Sequence, residues 1–255
     1  MVTVERVEHP PWEGDPIIIA VFGGKGGIGK STLAFLIAWL LGQVGPTLLV
    51  DADELQKEGG TTELYDGLEV DAVFDLAGEE DPEKLAGLRT IRGYRFIVVD
   101  NAPHRDRKKL AASCAGDLIV VPLTLDPLEA KAIMNSLREI VIPSGRPYRV
   151  VISRVDANRK AKAKRTYDSL QLVGLPVFKT QMRELVAHQD AGQLGIPVTE
   201  GTYKAWQRPA ADARDLVDEV LEALGLPDRV PRPAQPAPIP APARATSAPR
   251  RKVTP

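Results

Sequence analysis

Five strongly apolar runs alternate with helical patterns along the chain. Nearly every position within a run is hydrophobic, and Val, Ile and Leu predominate. Near-continuous apolar runs of this length are typical of parallel strands that are buried on both faces. The pattern therefore predicts five strands, over residues 17–22, 47–50, 96–99, 118–121 and 149–152.

Segments with the helical spacing of apolar residues separate these runs. Strand–helix alternation indicates an α/β fold: a doubly wound, mostly parallel sheet with helices on both faces and right-handed crossovers. In such folds ligands bind beyond the carboxyl ends of the strands. The predicted helices cover about residues 31–41, 106–114, 127–141, 159–173, 182–190 and 205–224.

The composition is that of an ordinary globular protein. The chain has 255 residues, of which 44% are hydrophobic and 26% are charged, and its formal net charge is −1. The single cysteine, Cys114, excludes an internal disulfide and a cysteine-based metal cluster. No stretch approaches 18 consecutive apolar residues, and no basic-then-apolar leader opens the sequence, so we expect a cytoplasmic protein without a membrane partner.

A glycine-rich segment follows the first predicted strand directly and precedes a helical pattern. Gly24, Gly29, Lys30 and Ser31 occupy the fixed positions of the phosphate-binding pattern G-x-x-x-x-G-K-[ST]. Glycines let backbone N–H groups approach phosphate oxygens, and the following helix directs its positive dipole end at the same anion. We therefore expect Lys30 to reach the β- and γ-phosphates and the Ser31 hydroxyl to bind Mg²⁺.

A second lysine, Lys25, lies one residue after the first glycine, where the general pattern requires no cation. Two lysines in one loop repel each other unless a polyanion lies between them. The segment K-G-G-I-G-K-S-T resembles the deviant Walker A motif of the ParA/MinD group of P-loop ATPases. The resemblance implies that ATP and Mg²⁺ are the cofactors. It also implies an ATP-sandwich homodimer, in which Lys25 crosses the interface to the phosphates of the other subunit and acts in catalysis with Lys30.

Carboxylates follow two further predicted strands. Asp51 and Asp53 lie after the second strand, and period-2 alternation puts them on one side if the strand continues that far. Asp100 follows the third strand. These positions resemble the family's Walker A′ and Walker B motifs. By resemblance, Asp53 is catalytic and orients the attacking water, whereas Asp51, Asp100 and Ser31 form the metal site.

The end of the fifth predicted strand, residues 151–156, occupies the place of the family's strand on the base side of the nucleotide. This resemblance adds one arginine to the expected nucleotide contacts. The expected contacts are Gly24, Lys25, Gly26, Gly27, Ile28, Gly29, Lys30, Ser31, Thr32 and Arg154.

The densest basic stretch of the chain runs over residues 154–165, where a single acid, Asp156, opposes six cations. Most of these cations fall in the first turns of a predicted helix, the end at which the helix dipole disfavours positive charge. Two interpretations stay open: a solvated helix face, and a contact surface for nucleic acid or another polyanion. In the second, the DNA-binding residues are Arg159, Lys160, Lys162, Lys164 and Arg165.

Three parts are expected along the chain: an N-terminal lead over residues 1–15, a P-loop ATPase domain over residues 16–225, and a Pro- and Arg-rich tail over residues 226–255. Nine of the last thirty residues are proline, and six cations face one acid. Such a segment buries too little apolar surface to order itself, so we expect it to be extended and mobile. It is either inert or an electrostatic arm for an anionic polymer.

These features favour the small ParA branch of the family, because the Pro- and Arg-rich end offers no apolar helix face for a membrane. The expected function is partitioning of a plasmid or chromosome by an ATP-dependent dimer. We expect the dimer to bind non-specific DNA on the nucleoid and to release it when a ParB-like partner protein stimulates a weak ATPase activity. Two alternatives stay open: an ATPase that positions a protein cargo, and a metabolic P-loop phosphotransferase.

Overall fold

Six parallel strands of the described residues form one sheet. The computed structural model describes residues 9–23, 27–52, 60–101, 116–183 and 186–232. The strands are β1 Ile17–Val21, β2 Thr47–Asp51, β3 Asp75–Gly78, β4 Phe96–Asp100, β5 Leu118–Thr124 and β6 Tyr148–Ser153. Their order is β3-β2-β4-β1-β5-β6, and every adjacent pair is parallel.

Seven α-helices belong to the described part of the chain. They are α1 Lys30–Gly42, α2 Thr61–Asp66, α3 Pro82–Ala86, α4 Pro127–Ser136, α5 Lys160–Leu172, α6 Val186–Gln193 and α7 Gln207–Ala223. The helix predicted over residues 106–114 lies outside the described residues. Within those residues, no helix combines the length and the apolar character that crossing a bilayer would require.

Two predicted helices differ from the observed ones by several residues. After Ser136, α4 passes into a turn of π-helix over Leu137–Val141. The predicted helix over residues 182–190 begins late, because Met182 pairs with the end of β6: its N–H donates to the Ile152 carbonyl at 2.8 Å. Extended backbone at that point protects the outer edge of β6.

Alternation along the strands sorts the buried side chains into two layers. Ile19, Val21 and Val98 share a hydrophobic cluster with α1 and α7. Ala20 and Ile152 belong to a second cluster with residues of α4 and α5. Helices therefore cover both faces of a parallel sheet, and the predicted doubly wound α/β architecture of a P-loop NTPase is confirmed.

The sixth strand, β3, was not predicted from the sequence because it has no apolar run. It lies at the edge of the sheet and pairs with β2 alone among the described strands. Of its four residues, Asp75, Ala77 and Gly78 are exposed and Leu76 is partly buried. An edge strand needs little apolar surface, so its sequence is indistinguishable from that of a loop.

The structure also differs from the expectation for the start of the C-terminal tail. Residues 226–232 lie against α7 and the start of β4. Val230 is 2% exposed and belongs to the core on the α1 face. Asp228 accepts two hydrogen bonds from Arg95, at 2.5 and 3.1 Å, and the Arg95 guanidinium also stacks over Trp12. One buried valine and one bidentate ion pair thus fix a segment whose composition predicts disorder.

Candidate nucleotide-binding site

The loop after β1 faces open space with bare backbone. Gly27 and Gly29 have positive φ angles of 78° and 87°, a conformation that residues with a Cβ rarely adopt. A Cβ on either residue would meet no atom within 4 Å. Gly29 is also the N-cap of α1, so the positive end of the helix dipole meets the same space. This is the arrangement that binds a phosphate group.

Lys30, the first residue of α1, packs its aliphatic chain against the backbone at Gly23. Only 6% of it is exposed. A Cβ at Gly23 would stand 2.9 Å from Lys30 Cδ and would overlap Cδ1 of Ile28, which is fully buried. The missing side chain at Gly23 therefore provides the space that the aliphatic part of Lys30 occupies.

Two carboxylates lie side by side at the carboxyl end of the sheet. Asp51 ends β2, Asp100 ends β4, and the two residues are partners in the strand register. They continue the alternation of Leu49 and Val98, which lie in the α1 cluster, so they stand on the sheet face that α1 covers. Each is 2% exposed. Ser31, in the first turn of α1, is half-buried on the same side.

Asp51 also fixes the start of α2. Its Oδ2 accepts hydrogen bonds from the Thr62 hydroxyl at 2.8 Å and from the Thr62 backbone N–H at 3.3 Å. A carboxylate at a helix start satisfies N–H groups that have no partner within the helix. The sequence did not predict α2, so this link between a phosphate-site carboxylate and the next helix is an addition to the predicted site.

The end of β6 reaches the phosphate loop. Arg154 follows Ser153 with a φ of 54°, and among the described residues it alone combines a side chain with a positive φ. Arg154 Nη1 donates a hydrogen bond to the Gly27 carbonyl at 3.2 Å. The structure therefore brings this predicted nucleotide contact to the loop.

These elements line a cleft of about 940 Å³. The phosphate loop, α1, the end of β6 and Met182 form part of the lining, and α2 and α6 supply two further walls. Its volume is typical of sites for small organic ligands. The sequence did not predict the walls from α2 and α6, whose cleft residues include Glu63, Leu64, His188 and Gln189. No motif marks these residues, and only the packing of the two helices on α1 brings them together.

The described residues fit a nucleoside triphosphate with Mg²⁺. The bare backbone at Gly27 and Gly29 suits phosphate oxygens, and Lys30 supplies a positive charge. Among the described residues, no group of three or more His, Cys, Asp or Glu side chains could hold a metal by itself. Mg²⁺ bound with a nucleotide uses one or two carboxylates, phosphate oxygens and waters, and Asp51 and Asp100 match that need.

Four predicted site residues lie outside the described residues: Gly24, Lys25, Gly26 and Asp53. Their expected roles stay predictions. The strand that precedes Asp53 ends at Asp51.

The predicted DNA-binding cations divide into two groups. Lys162 Nζ donates to the Leu125 carbonyl at 2.7 Å, and Lys164 pairs with Asp168 at 2.7 Å. The other three cations are exposed, and within the described part of the chain no ion pair involves them. They are Arg159, Lys160 and Arg165. Three of the five predicted DNA-binding cations are therefore exposed and outside any ion pair among the described residues.

The fold and the loop together define a P-loop nucleotide-binding protein. The family model of the CobQ/CobB/MinD/ParA nucleotide binding domain matches residues 19–198. The chain belongs to this family, and the family predicted from the motifs is confirmed. A relative, the maintenance of carboxysome distribution protein A of Gloeobacter kilaueensis, is 34% identical over 216 residues, covering 82% of this chain and 96% of the relative.

Solved structures share the fold at lower identity. MinD of Pyrococcus horikoshii, complexed with Mg-ADP, has a TM-score of 0.64 and 18% identity, and the match covers 80% of this chain and 96% of that one. A plasmid partition protein of Borrelia burgdorferi, bound to AMPPNP, has a TM-score of 0.63 and 17% identity, with 81% and 99% covered. An ATP complex of a McdA variant from Cyanothece has a TM-score of 0.60 and 18% identity, with 86% and 100% covered.

Proposed function

We propose that this chain is a Mg²⁺-dependent ATPase that positions a protein cargo, with a carboxysome or a protein body of similar construction as that cargo. The observation that carries this proposal is the 34% identity to a carboxysome distribution protein over 96% of that protein's length. The cargo-positioning function was an alternative in the sequence analysis. It now has stronger support than partitioning of DNA, because the plasmid partition structure is similar at only 17% identity.

In this proposal the phosphates of ATP bind over Gly27–Gly29 and Lys30, and Arg154 holds the loop from the side of the base. Ser31, Asp51 and Asp100 hold Mg²⁺, which neutralises phosphate charge when it is bound. Asp53 orients the attacking water. Phosphoryl transfer depends mainly on positioning and charge neutralisation, and these residues supply both.

ATP also controls assembly in this proposal. Lys25 reaches the phosphates of a second copy, so a homodimer forms only when nucleotide lies between the two loops. Without nucleotide, Lys25 and Lys30 would meet at the phosphate site and repel each other, so the dimer is unfavourable in the nucleotide-free state. A partner protein on the cargo then stimulates hydrolysis and ends the dimer state.

The DNA of the nucleoid is the support surface in this proposal. Arg159, Lys160 and Arg165 are exposed at the start of α5, on the sheet face opposite α1 and α7. Each copy offers a small patch, and a dimer doubles it, so avidity makes DNA binding depend on ATP. If about six phosphates are neutralised per dimer, the logarithm of the binding constant should fall with the logarithm of salt concentration at a slope of roughly −5.

Fluorescence anisotropy of duplex DNA with ATP tests this surface. The triple variant R159E/K160E/R165E should lose DNA binding and keep ATP hydrolysis measured without DNA. The triple variant K204E/R208E/R229E is a matched control, because it reverses three exposed cations on α7 and its flanks. Equal loss of binding in both variants would show that overall charge, and not the start of α5, determines DNA binding.

The second candidate is DNA partitioning with a ParB-like partner protein, and the exposed cations at the start of α5 serve it equally well. Deletion of the gene in its host separates the two candidates. Clustering of the protein bodies, with stable plasmids and chromosomes, supports cargo positioning. Loss of plasmid or chromosome copies, with evenly spaced protein bodies, would overturn it in favour of DNA partitioning.

A further inference from the structure

One carboxylate oxygen at the carboxyl end of β2 is bonded to the chain itself. Asp51 Oδ2 accepts hydrogen bonds from the Thr62 hydroxyl at 2.8 Å and from the Thr62 backbone N–H at 3.3 Å. Each oxygen of a carboxylate has about two acceptor positions, so these two bonds occupy both positions of Oδ2. Contact of Asp51 with a metal ion or with one of its waters is then left to Oδ1.

The body of α2 is held in place by contacts that do not involve Asp51. Leu64 and Tyr65 pack against the hydrophobic core on the α1 face, and the ring centroids of Tyr65 and Phe74 lie 5.4 Å apart. Beyond the end of α2, the Glu69 N–H donates to the Gly195 carbonyl at 2.8 Å. Because α2 has these supports of its own, its hydrogen bonds to Asp51 can restrain the carboxylate.

Asp51 needs such a restraint. The parallel register of β2 and β4 fixes its backbone beside that of Asp100, but it leaves the two side-chain torsions of Asp51 undetermined. In metal sites, the carboxylates that bind the metal are themselves oriented by hydrogen bonds. Removal of such a hydrogen-bond partner typically weakens metal affinity or activity by about 10- to 100-fold.

We propose that Thr62 is a positioning residue of the Mg²⁺ site, whose hydroxyl holds Asp51 Oδ2 so that Oδ1 is available to Mg²⁺ and its waters. This inference rests on the proposed ATPase function and adds to it a residue that no sequence motif marks. Thr62 is exposed, and it acts through Asp51 without touching metal or nucleotide.

A purely structural role for the same hydrogen bonds is the competing interpretation. Gly60 precedes α2 as its N-cap and has no side chain that could accept a bond from the first N–H groups of the helix. Asp51 takes over that capping function. If capping were the whole role of the contact, loss of the Thr62 hydroxyl would lower stability and leave the Mg²⁺ requirement of the protein unchanged.

Three variants separate the two interpretations. T62V removes the hydroxyl and keeps the size of the side chain, whereas T62S keeps a hydroxyl. T180V is the matched control, because the Thr180 hydroxyl and backbone N–H also donate to one carboxylate oxygen, Glu219 Oε1, at 2.7 and 2.8 Å. Glu219 lies on α7, away from the cleft. A fluorescent ATP analogue is titrated into each protein with EDTA and then at increasing Mg²⁺ concentrations, and urea unfolding without either ligand measures stability.

We expect T62V to need about tenfold more Mg²⁺ than wild type to reach half of the gain in ATP affinity that Mg²⁺ provides. T62S and T180V should stay within about twofold of wild type. Affinity for the analogue in EDTA should be equal in all four proteins, because the phosphate loop is unchanged. Stability should fall in both T62V and T180V, since each loses a hydroxyl-to-carboxylate bond.

A wild-type Mg²⁺ requirement in T62V would overturn the inference and leave Thr62 with helix capping alone. Weaker binding of T62V in EDTA, by the same factor as with Mg²⁺, would also overturn it, because the damage would then not be specific to the metal. A wild-type chain whose binding of the analogue is undetectable or independent of Mg²⁺ would overturn the proposed function instead.

Discussion

A methyl group at position 23 should damage the phosphate site from within. An alanine Cβ there would overlap Cδ1 of Ile28 and stand 2.9 Å from Cδ of Lys30. Both neighbours are buried, so neither can turn into solvent. Gly23 is not among the glycines with positive φ, so the cost of Gly23→Ala is steric. Overpacking of this kind costs about 1–3 kcal/mol.

Gly192→Ala is the matched control, because Gly192 lines the nucleotide cleft and has room for a methyl group. There the new Cβ would meet Cδ2 of Leu64 at 3.6 Å, an ordinary contact. Within a helix, Ala is more stable than Gly by about 0.5–1 kcal/mol. Urea unfolding should show that stability falls in Gly23→Ala and rises in Gly192→Ala. Titration with ATP should show about tenfold weaker binding in Gly23→Ala if 1.4 kcal/mol of the strain falls on the bound loop. Wild-type stability and affinity in Gly23→Ala would refute this account of the loop.

Three further predictions concern assembly, pH and the C-terminal segment. With ATP, light scattering should find the Asp53→Ala variant dimeric and the Lys25→Ala variant monomeric, and a phosphate-release assay should find Asp53→Ala slow in hydrolysis. Equal masses for the two variants would count against a role for Lys25 across the interface. Burial lowers the pKa of His188 to about 4, against 6.5 for an unperturbed imidazole, so protonation of His188 favours the unfolded state. The free energy of unfolding should therefore fall by on the order of 3 kcal/mol as the pH drops from 6.5 to 4. His188→Leu should flatten that part of the pH profile measured by urea unfolding, and an unchanged profile would contradict the burial of a neutral His188. Asp228→Asn should cost about 1–3 kcal/mol in urea unfolding because it breaks the pair with Arg95, and no loss of stability would mean that residues 226–232 do not support the fold.

The sequence predicted the parts of the fold that have a distinctive local pattern of residues, namely the apolar strands and the glycine-rich loop. The five apolar runs became β1, β2, β4, β5 and β6, because only buried parallel strands need continuous apolar residues. The phosphate loop was predicted because a strand, a glycine turn and a lysine at the start of a helix have few other uses. Asp51 and Asp100 were assigned to one metal site by resemblance to the family's motifs, and the strand register places the two residues side by side.

The missed features depend on contacts between residues that are distant in sequence. His188 lines the cleft only because α6 packs on α1, and a lone buried histidine carries no signal in the sequence. Lys162 was grouped with the DNA-binding cations, but its ammonium bonds the Leu125 carbonyl, a partner 37 residues away. The order of residues 226–232 likewise depends on the distant Arg95. Composition alone cannot indicate such partners.

Equilibrium binding of ATP with Mg²⁺ tests the central claim most directly. A fluorescent ATP analogue is titrated into the wild-type chain and into Lys30→Ala, and urea unfolding without nucleotide confirms that both are folded. Lys30 is buried at the start of α1, directly after Gly29, and the proposed function assigns its positive charge to the phosphates. We expect saturable binding by the wild-type chain and no detectable binding by the folded Lys30→Ala variant. ATP binding by Lys30→Ala with unchanged affinity would contradict the phosphate-loop assignment, and with it the proposed ATPase.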